Sequence, residues 1–429
     1  MEISILYNYF KECGKVTTDT RNCPEGSMFI ALKGETFNGN TFARQALEKG
    51  CRYAVVDEAE YADAPNIFLV DNCLETLQLL AREHRRALGT PIVGITGTNG
   101  KTTTKELIAT VLQKRFKTLY TQGNLNNHIG VPLTLLNLTE EHEMAVVEMG
   151  ANHPGEIRTL VNIAEPDCGM ITNVGKAHLE GFGSFEGVVK TKSELYDYLR
   201  LKENAFIFLD KDNEVLCQAS AGLESIGYGL EGEDLYVKGK LHACAPFLAF
   251  EWEHEGVIHD VNTHLIGAYN VKNALAAIAI GCRFGVPAEA ICEALNGYIP
   301  SNNRSQLTET EDNHLIVDAY NANPTSMMAA LENFRLMEVQ NKVAVLGDMK
   351  ELGKGSLDEH RKIVSFLQTC GFERTILVGA EFGKANAGFE HYPDVEAVKA
   401  LFAENKPKGK FVLVKGSNSM KLAQLKDIL

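Results

Sequence analysis

Between Thr90 and Lys105 the chain reads Thr90-Pro91-Ile92-Val93-Gly94-Ile95-Thr96-Gly97-Thr98-Asn99-Gly100-Lys101-Thr102-Thr103-Thr104-Lys105, and no other stretch limits the fold so strongly. An apolar run enters a turn with two glycines and leaves it on a lysine, which predicts strand, turn and helix in that order. Gly97 and Gly100 permit φ > 0 and close backbone approach, while the first turn of the helix points unpaired N–H groups at the turn. That geometry is a cradle for an oligophosphate. Lys101 places a point charge against the outer phosphates, and the hydroxyl of Thr102 is suited to an accompanying Mg²⁺. The general pattern G-x-x-x-x-G-K-[ST] calls for glycine where this chain has Ile95, so what it carries is the tighter Gly97-x-x-Gly100-Lys101-Thr102. The competing reading is a plain surface turn, and the flanking strand and helix speak against it.

At 429 residues the chain is too long for one ordinary core, so two to four domains are expected at roughly 100–200 residues each. A net charge of −14 disfavours nucleic acid and anionic membranes as partners, while leaving room for a local basic pocket. The ten cysteines are scattered without a C-x-x-C pair and read as reduced thiols. No apolar run nears the ~18 residues of a membrane span and no basic-apolar leader is evident, so a cytoplasmic protein, in its simplest form a monomer, is expected.

Residues 1–88 read as a small α/β unit, with strands at Ser27–Leu32 and Tyr53–Val56 and helices around Phe42–Lys49 and Leu74–Arg86. Residues 89–299 alternate strand and helix: Ile92–Ile95, Thr102–Arg115, Met144–Met149, Gly155–Ile163, Cys168–Thr172, Phe185–Leu199, Ala205–Leu209. Such alternation predicts a parallel sheet flanked by helices. Strands Phe247–Trp252 and Val257–Leu265 around Glu255-Gly256 predict an antiparallel edge hairpin, followed by helices Val271–Phe284 and Ala288–Leu295. The turn-rich Gly297–Arg304 marks a linker into a third α/β unit over residues 300–429. Its predicted strands are Leu315–Asp318, Val343–Leu346, Thr375–Val378 and Phe411–Val414, and its helices Ser326–Met337, Leu357–Thr369 and Val395–Glu404.

Ligands of open α/β sheets collect beyond the carboxyl ends of the strands, so polar residues placed there carry weight. Glu148 ends the run Ala145-Val146-Val147 and could hold Mg²⁺, or be a solvated strand end. His178 follows a strand and a glycine-containing loop, where a ligand and an ordinary loop histidine both fit. Lys190 and Lys192 open the next helix as phosphate ligands or as a solvated face. Asp318-Ala319-Tyr320-Asn321-Ala322-Asn323-Pro324 puts donors and acceptors suited to an amide substrate after another strand, or else forms an Asx-rich helix cap.

Together these motifs resemble the Mur ligase family of ATP-dependent amide-forming enzymes, over essentially the whole chain. Gly97-Thr98-Asn99-Gly100-Lys101-Thr102, with Thr103, is similar to the family's shortened phosphate loop, which accounts for Ile95. The resemblance implies three domains: an N-terminal UDP-substrate-binding α/β domain, a central P-loop parallel-sheet ATPase domain and a C-terminal Rossmann-like domain. It implies ATP and two Mg²⁺, with Thr102, Glu148, His178 and Lys192 as metal ligands and Lys192 carbamylated by CO₂; Lys190 is the neighbouring competitor. It further implies Asn270 and Asn273 on the adenine side, Asp318 at the ribose and Arg304 at the γ-phosphate, with Lys101, His178, Lys192 and Arg304 as the catalytic set. Asp318–Met327, Leu346–Gly353, Gly123–Pro132, Glu148–Ile157 and Val414–Lys421 resemble the member whose partners are UDP-N-acetylmuramoyl-tripeptide and D-alanyl-D-alanine. The Asp-Asn-Pro-Arg-like loop expected of the diaminopimelate- or lysine-adding member is not found. Substrate contacts implied in this way are Thr20, Arg21, Lys33, Asn38, Asn126, Asn127, Tyr320, Asn321 and Asn323. His360 and Asp348 are candidates for the base that accepts the amine's proton. A kinase and a nucleotide-gated binding protein are the rival readings.

Overall fold

Strand Ile92–Thr96 feeds the glycine turn and helix Lys101–Leu112 in the computed structural model, which describes residues 1–232, 234–244, 246–300 and 306–429. Among the described residues this strand belongs to a nine-stranded sheet. Its neighbours are Met144–Glu148 on one side and Cys168–Ile171 on the other, both parallel to it. From Ile92–Thr96 the chain goes first to the edge strand Thr118–Tyr120, returns through Met144–Glu148 in the gap between them, then crosses to the other side for Cys168–Ile171, Phe206–Asp210 and Glu224–Gly229. A crevice opens where the winding direction reverses, beyond the carboxyl end of Ile92–Thr96. The glycine turn sits there. Every residue of Ile92–Thr96 and Met144–Glu148 is buried, as expected for parallel strands covered on both faces.

The far edge departs from parallel order. Val237–Cys244 still runs parallel to its neighbour, and Phe247–His254 and Val257–Ile266 add the predicted antiparallel hairpin. Its two turn residues, Glu255 and Gly256, both have positive φ (52° and 77°), the backbone that matches the twist of a tight hairpin.

The first domain has a four-stranded parallel sheet in chain order, Val16–Thr17, Met28–Ile30, Tyr53–Val56 and Ile67–Leu69. Its helix Cys73–Leu88 is capped by Asn72, whose side chain accepts from the N–H of Glu75 (2.9 Å), and ends on Gly89 at φ 66°. Cys73, Leu77, Leu80 and Ala81 form its buried stripe. That stripe joins one hydrophobic cluster with Val131, Leu135, Ile157 and Leu160 of the second domain, so the two domains share a core. Polar contacts fix the seam: Nε2 of His84 donates to the carbonyl of Leu138 (2.9 Å), and the Arg85 guanidinium donates to the carbonyls of Ala164 (3.0 Å) and Glu165 (2.9 Å).

The third domain is an open sheet ordered Gln306–Glu309, Asn313–Asp318, Lys410–Lys415, Lys342–Gly347, Arg374–Val378, Glu390–Tyr392, parallel apart from the first strand. Separate apolar clusters cover its two faces, giving the doubly wound, Rossmann-like architecture. Among the elements of the first and third domains not anticipated from the sequence are helix Ile3–Cys13, helix Ala380–Ala385 and the short strands Val16–Thr17, Ile67–Leu69, Gln306–Glu309 and Glu390–Tyr392. The strands have four residues or fewer, too short to display a period of two. No described helix is long and apolar enough to cross a membrane.

Candidate active site

Ile95 is fully buried and still part of the strand, paired with Glu148 across the sheet, so the turn begins two residues later at Gly97. Gly97 has φ 142°, and a Cβ there would lie 2.0 Å from Oγ1 of Thr172. Gly100 has φ 77° and would drive a Cβ to 2.8 Å from Oδ1 of Asn273. Both positions therefore demand glycine. Thr172 and Asn173 pin the loop from the neighbouring strand end. Thr172 Oγ1 donates to the carbonyl of Asn99 (2.6 Å), the Thr98 N–H donates to the carbonyl of Asn173 (2.9 Å), and the Asn99 N–H donates to Oδ1 of Asn173 (3.0 Å). Lys101 folds over the turn, its Nζ donating to the carbonyls of Gly97 (2.8 Å) and Thr98 (2.9 Å).

Below the loop, Glu148 is buried at the end of its strand. Its Oε1 accepts from Nδ2 of Asn126 (2.8 Å) and from the Thr102 hydroxyl (3.2 Å). Its Oε2 is buried without a hydrogen-bond partner among the described residues, and Nζ of the buried Lys105 lies 4.0 Å away. A buried carboxylate oxygen left unbonded beside a threonine hydroxyl is a donor set that fits a hard divalent cation with oxygen ligands.

Lys192 and Lys190, indistinguishable by charge, are separated by the helix Phe185–Arg200. Lys190 is exposed, whereas Lys192 is 2% exposed, its Nζ donating to the carbonyl of Ala151 (3.2 Å) and lying 5.3 Å from the centre of the Phe182 ring. Burial pushes its pKa well below the ordinary lysine value, and the charge of Lys101 adds to the effect. The neutral amine so favoured is the form that adds to CO₂. His178 lies in the loop between, its Nδ1 engaged by the carboxylate of Glu351 from the third domain. Burial lowers its pKa, opposed by that carboxylate.

A cavity of about 1020 Å³ unites these elements. Thr98–Lys101 and Thr103 line it, with Asn126, Asn127, Glu148 and His178, with Asn270 and Asn273, and with Asp318, Tyr320, Asn321 and Lys415 from the third domain. Its size is at the upper end for a single small ligand, and it takes up residues of all three domains, since Leu74 and Gln78 of the first also reach it. Arg304 lies outside the described residues.

Several of the expected ligand contacts also carry structural hydrogen bonds. Asn323 caps helix Pro324–Leu336 in a capping box and bridges to the phosphate loop, its Nδ2 donating to Oδ1 of Asn99 (2.8 Å), so its amide holds two domains together. Asn127 caps the next helix turn by accepting from the N–H groups of Ile129 (3.1 Å) and Gly130 (2.9 Å). Asn126 orients Glu148, and Asn321 accepts from the Ala322 N–H (2.8 Å). Asn270 and Asn273 bond one another (2.8 Å) behind Gly100. Asp318 pairs with the buried Lys415 (2.5 Å), a lysine the sequence reading did not single out as a site residue. Asn173 and Lys105 were missed too. The signal for Asn173 was its place just past the strand Cys168–Ile171, while Lys105, one helical turn beyond Lys101, had only that spacing.

The two candidates for the amine's base are engaged inside the third domain. His360 is fully buried, Nδ1 donating to the carbonyl of Ser356 (2.7 Å) and Nε2 accepting from the Met349 N–H (3.1 Å). Asp348 is also fully buried, accepting from the N–H groups of Glu381 (3.1 Å) and Phe382 (2.9 Å) at the start of a short helix. Neither is among the residues that line the cavity. Thr20, Arg21, Lys33 and Asn38 also lie apart from it. Arg21 is exposed and paired with Asp19 (2.7 Å), Lys33 bridges Asp57 and Glu58 (2.9 Å each), Asn38 donates to Glu58 (2.9 Å), and the Thr20 carbonyl accepts from Lys49 (2.8 Å).

Three family profiles match the chain: the Mur ligase family catalytic domain over residues 13–85, the Mur ligase middle domain over 95–281, and the Mur ligase glutamate ligase domain over 303–418. The UDP-N-acetylmuramoyl-tripeptide--D-alanyl-D-alanine ligase of Bacillus subtilis is 35% identical, covering 96% of this chain and 93% of its own length. The enzyme of the same name from Escherichia coli is 35% identical over 96% and 92%. A crystal structure of MurF from Acinetobacter baumannii superposes with a TM-score of 0.88 at 30% identity, covering 99% of this chain and 97% of that one. MurF ligase from Thermotoga maritima in complex with ADP superposes at 0.86 with 28% identity, covering 96% of each.

Proposed function

The chain belongs to the Mur ligase family, and on that premise we propose that it is an ATP-dependent amide ligase joining D-alanyl-D-alanine to UDP-N-acetylmuramoyl-tripeptide, with release of ADP and phosphate. The observation that carries this reading is the shared cavity, in which the phosphate loop of the second domain faces Asp318, Tyr320 and Lys415 of the third. A carboxylate is a poor electrophile, so an amide forms only after activation. In the proposed sequence the γ-phosphoryl of ATP passes to the terminal carboxylate of the tripeptide, giving an acyl phosphate and ADP. The amine of D-alanyl-D-alanine then attacks the acyl carbon, loses a proton, and phosphate departs.

Lys101 lies where its ammonium can follow the transferring phosphoryl group, exchanging the Gly97 and Thr98 carbonyls for phosphate oxygens. Thr102 and Glu148 would hold one Mg²⁺, and His178 with a carbamylated Lys192 a second. Bound there, these ions supply charge neutralisation to the phosphoryl oxygens. Asn126 keeps Glu148 in place, and Asn99 with Asn323 clamps the third domain onto the loop, which helps to exclude water from the acyl phosphate. Asn270 and Asn273 are proposed at the adenine, Asp318 with Lys415 at the ribose, and Arg304 at the γ-phosphate. Tyr320 and Asn321 would meet the peptide end of the substrates. Thr20, Arg21, Lys33 and Asn38 are proposed to hold the uridine end, a reading that rests on the family resemblance. A monomer is the simplest assembly for this reading, and the demand for ATP supports a cytoplasmic site of action.

The test is to incubate the protein with ATP, Mg²⁺, UDP-N-acetylmuramoyl-tripeptide and D-alanyl-D-alanine and to follow ADP, phosphate and the pentapeptide. All three should appear only when both acceptors are present. A stable phosphorylated product would make the protein a kinase, and nucleotide hydrolysis indifferent to the dipeptide would make it a nucleotide-gated binder. For Lys192, labelled bicarbonate should give a carbamate ¹³C signal that Lys192→Ala lacks.

A further inference from the structure

Among the described residues the segment beyond strand Cys168–Ile171 makes three polar contacts with the third domain. The Glu180 N–H donates to the Glu351 carbonyl (3.3 Å), Nζ of Lys176 pairs with Glu359 (3.1 Å), and Nδ1 of His178 engages the Glu351 carboxylate. The partners of the third contact share an uncommon backbone. His178 has φ 49° and Glu351 φ 62°, both in the left-handed region that disfavours a residue with a Cβ. Backbone strain of this kind persists only where the surroundings hold it, and it collects at sites of function. The Glu351 side chain is 55% exposed, so burial does not force it against the histidine. Beneath it the turn is anchored by Met349 and Leu352, both buried in the third domain's core. Glu351 is thus presented on a rigid base, and what it reaches is a histidine lining the cavity of another domain.

We infer that Glu351 is a positioning residue for His178: by accepting from Nδ1–H it fixes the ring's orientation and tautomer, leaving Nε2 as the nitrogen with a lone pair for a cation. Because Glu351 belongs to the third domain, the histidine ligand is set only when that domain is docked on the loop. Assembly of the second cation site is thereby tied to domain closure. A carboxylate on the far nitrogen also raises the basicity of the ligating one, and loss of such partners typically weakens metal binding about 10–100-fold. The inference rests on the reading of His178 as a ligand of a second Mg²⁺, and the experiment separates the two.

Mn²⁺ uptake by the full chain, with a non-hydrolysable ATP analogue bound, is counted by electron paramagnetic resonance. The His178 tautomer is read by ¹⁵N NMR on the metal-free protein. Glu351→Ala keeps a Cβ and so leaves the backbone strain unchanged. It should weaken the second Mn²⁺ at least about tenfold while leaving the first unchanged, and it should lose the Nδ1–H tautomer. Glu351→Gln restores an acceptor and should recover both. Lys176→Ala breaks a domain contact without touching the histidine and should retain the wild-type tautomer. Two Mn²⁺ bound with wild-type affinity in Glu351→Ala, an unchanged tautomer, or an equal effect of Lys176→Ala would each overturn the inference and leave the two-cation reading standing. A wild-type protein that takes up one Mn²⁺ overturns that reading, and the inference with it.

Discussion

Gly97, Gly100 and Lys101 each answer to a separate physical demand. At Gly97 the strand end of Thr172 comes so close that no side chain fits, and at Gly100 the amide of Asn273 leaves no room. Lys101 has carbonyl partners of its own loop, so it is held ready over the turn rather than waving in solvent. Removing its charge should therefore act on the phosphoryl transfer more than on the fold. Lys101→Ala is expected to bind the UDP substrate with near wild-type affinity and to lose about 3 kcal/mol of transition-state stabilisation, roughly two orders of magnitude in the rate of ADP formation. Normal turnover by this variant would refute the role. Lys192 shows the limit of reading single residues from sequence. It and Lys190 carry the same charge two positions apart, and only the helix facing decides which one enters a desolvated pocket.

At the scale of elements, helix Cys73–Leu88 joins two domains, and its polar seam makes that junction sensitive to acid. Within the seam His84 bonds the Tyr7 hydroxyl at Nδ1 (3.2 Å) and donates from Nε2 to the Leu138 carbonyl (2.9 Å). Burial holds its pKa below the ordinary 6.5. The unfolded chain then binds a proton at higher pH than the folded one, so stability from this group is fully present above pH 6.5 and is lost as pH falls below it. His142 and His360 shift in the same direction. Urea unfolding at pH 5.5 and pH 8 should show a loss of stability on the acid side that His84→Gln reduces in part. An identical acid slope in the variant would place the effect elsewhere.

For the whole molecule, the shared core of the first two domains contrasts with the third domain, whose two clusters are its own apart from Ile266. Regions that share buried apolar surface unfold together. Calorimetry should accordingly resolve two transitions, one for the first and second domains and one for the third. Leu80→Ala removes a fully buried side chain at the shared core and should destabilise the first of these by about 2–5 kcal/mol without moving the second. A single transition shifted as a unit would contradict the division. Contacts such as Asn99 with Asn323 and His178 with Glu351 are polar, in contrast to the apolar core that joins the first two domains.

What the sequence determined by itself was local: the strand–turn–helix of the phosphate loop, the alternation that makes parallel sheets, the hairpin at Glu255-Gly256, and the carboxylate at the end of Met144–Glu148. Periodicity, glycine placement and strand-end position are properties of near neighbours in the chain, so they survive without knowledge of the fold. The tertiary structure decided whatever depends on distant segments meeting. It engaged His360 and Asp348 inside the third domain, turned Asn323 into a clamp on Asn99, buried Lys192, and brought Lys415 to Asp318 and Glu351 to His178. Those roles follow from which groups are desolvated and which polar atoms find partners, and both are settled only when the sheets are packed.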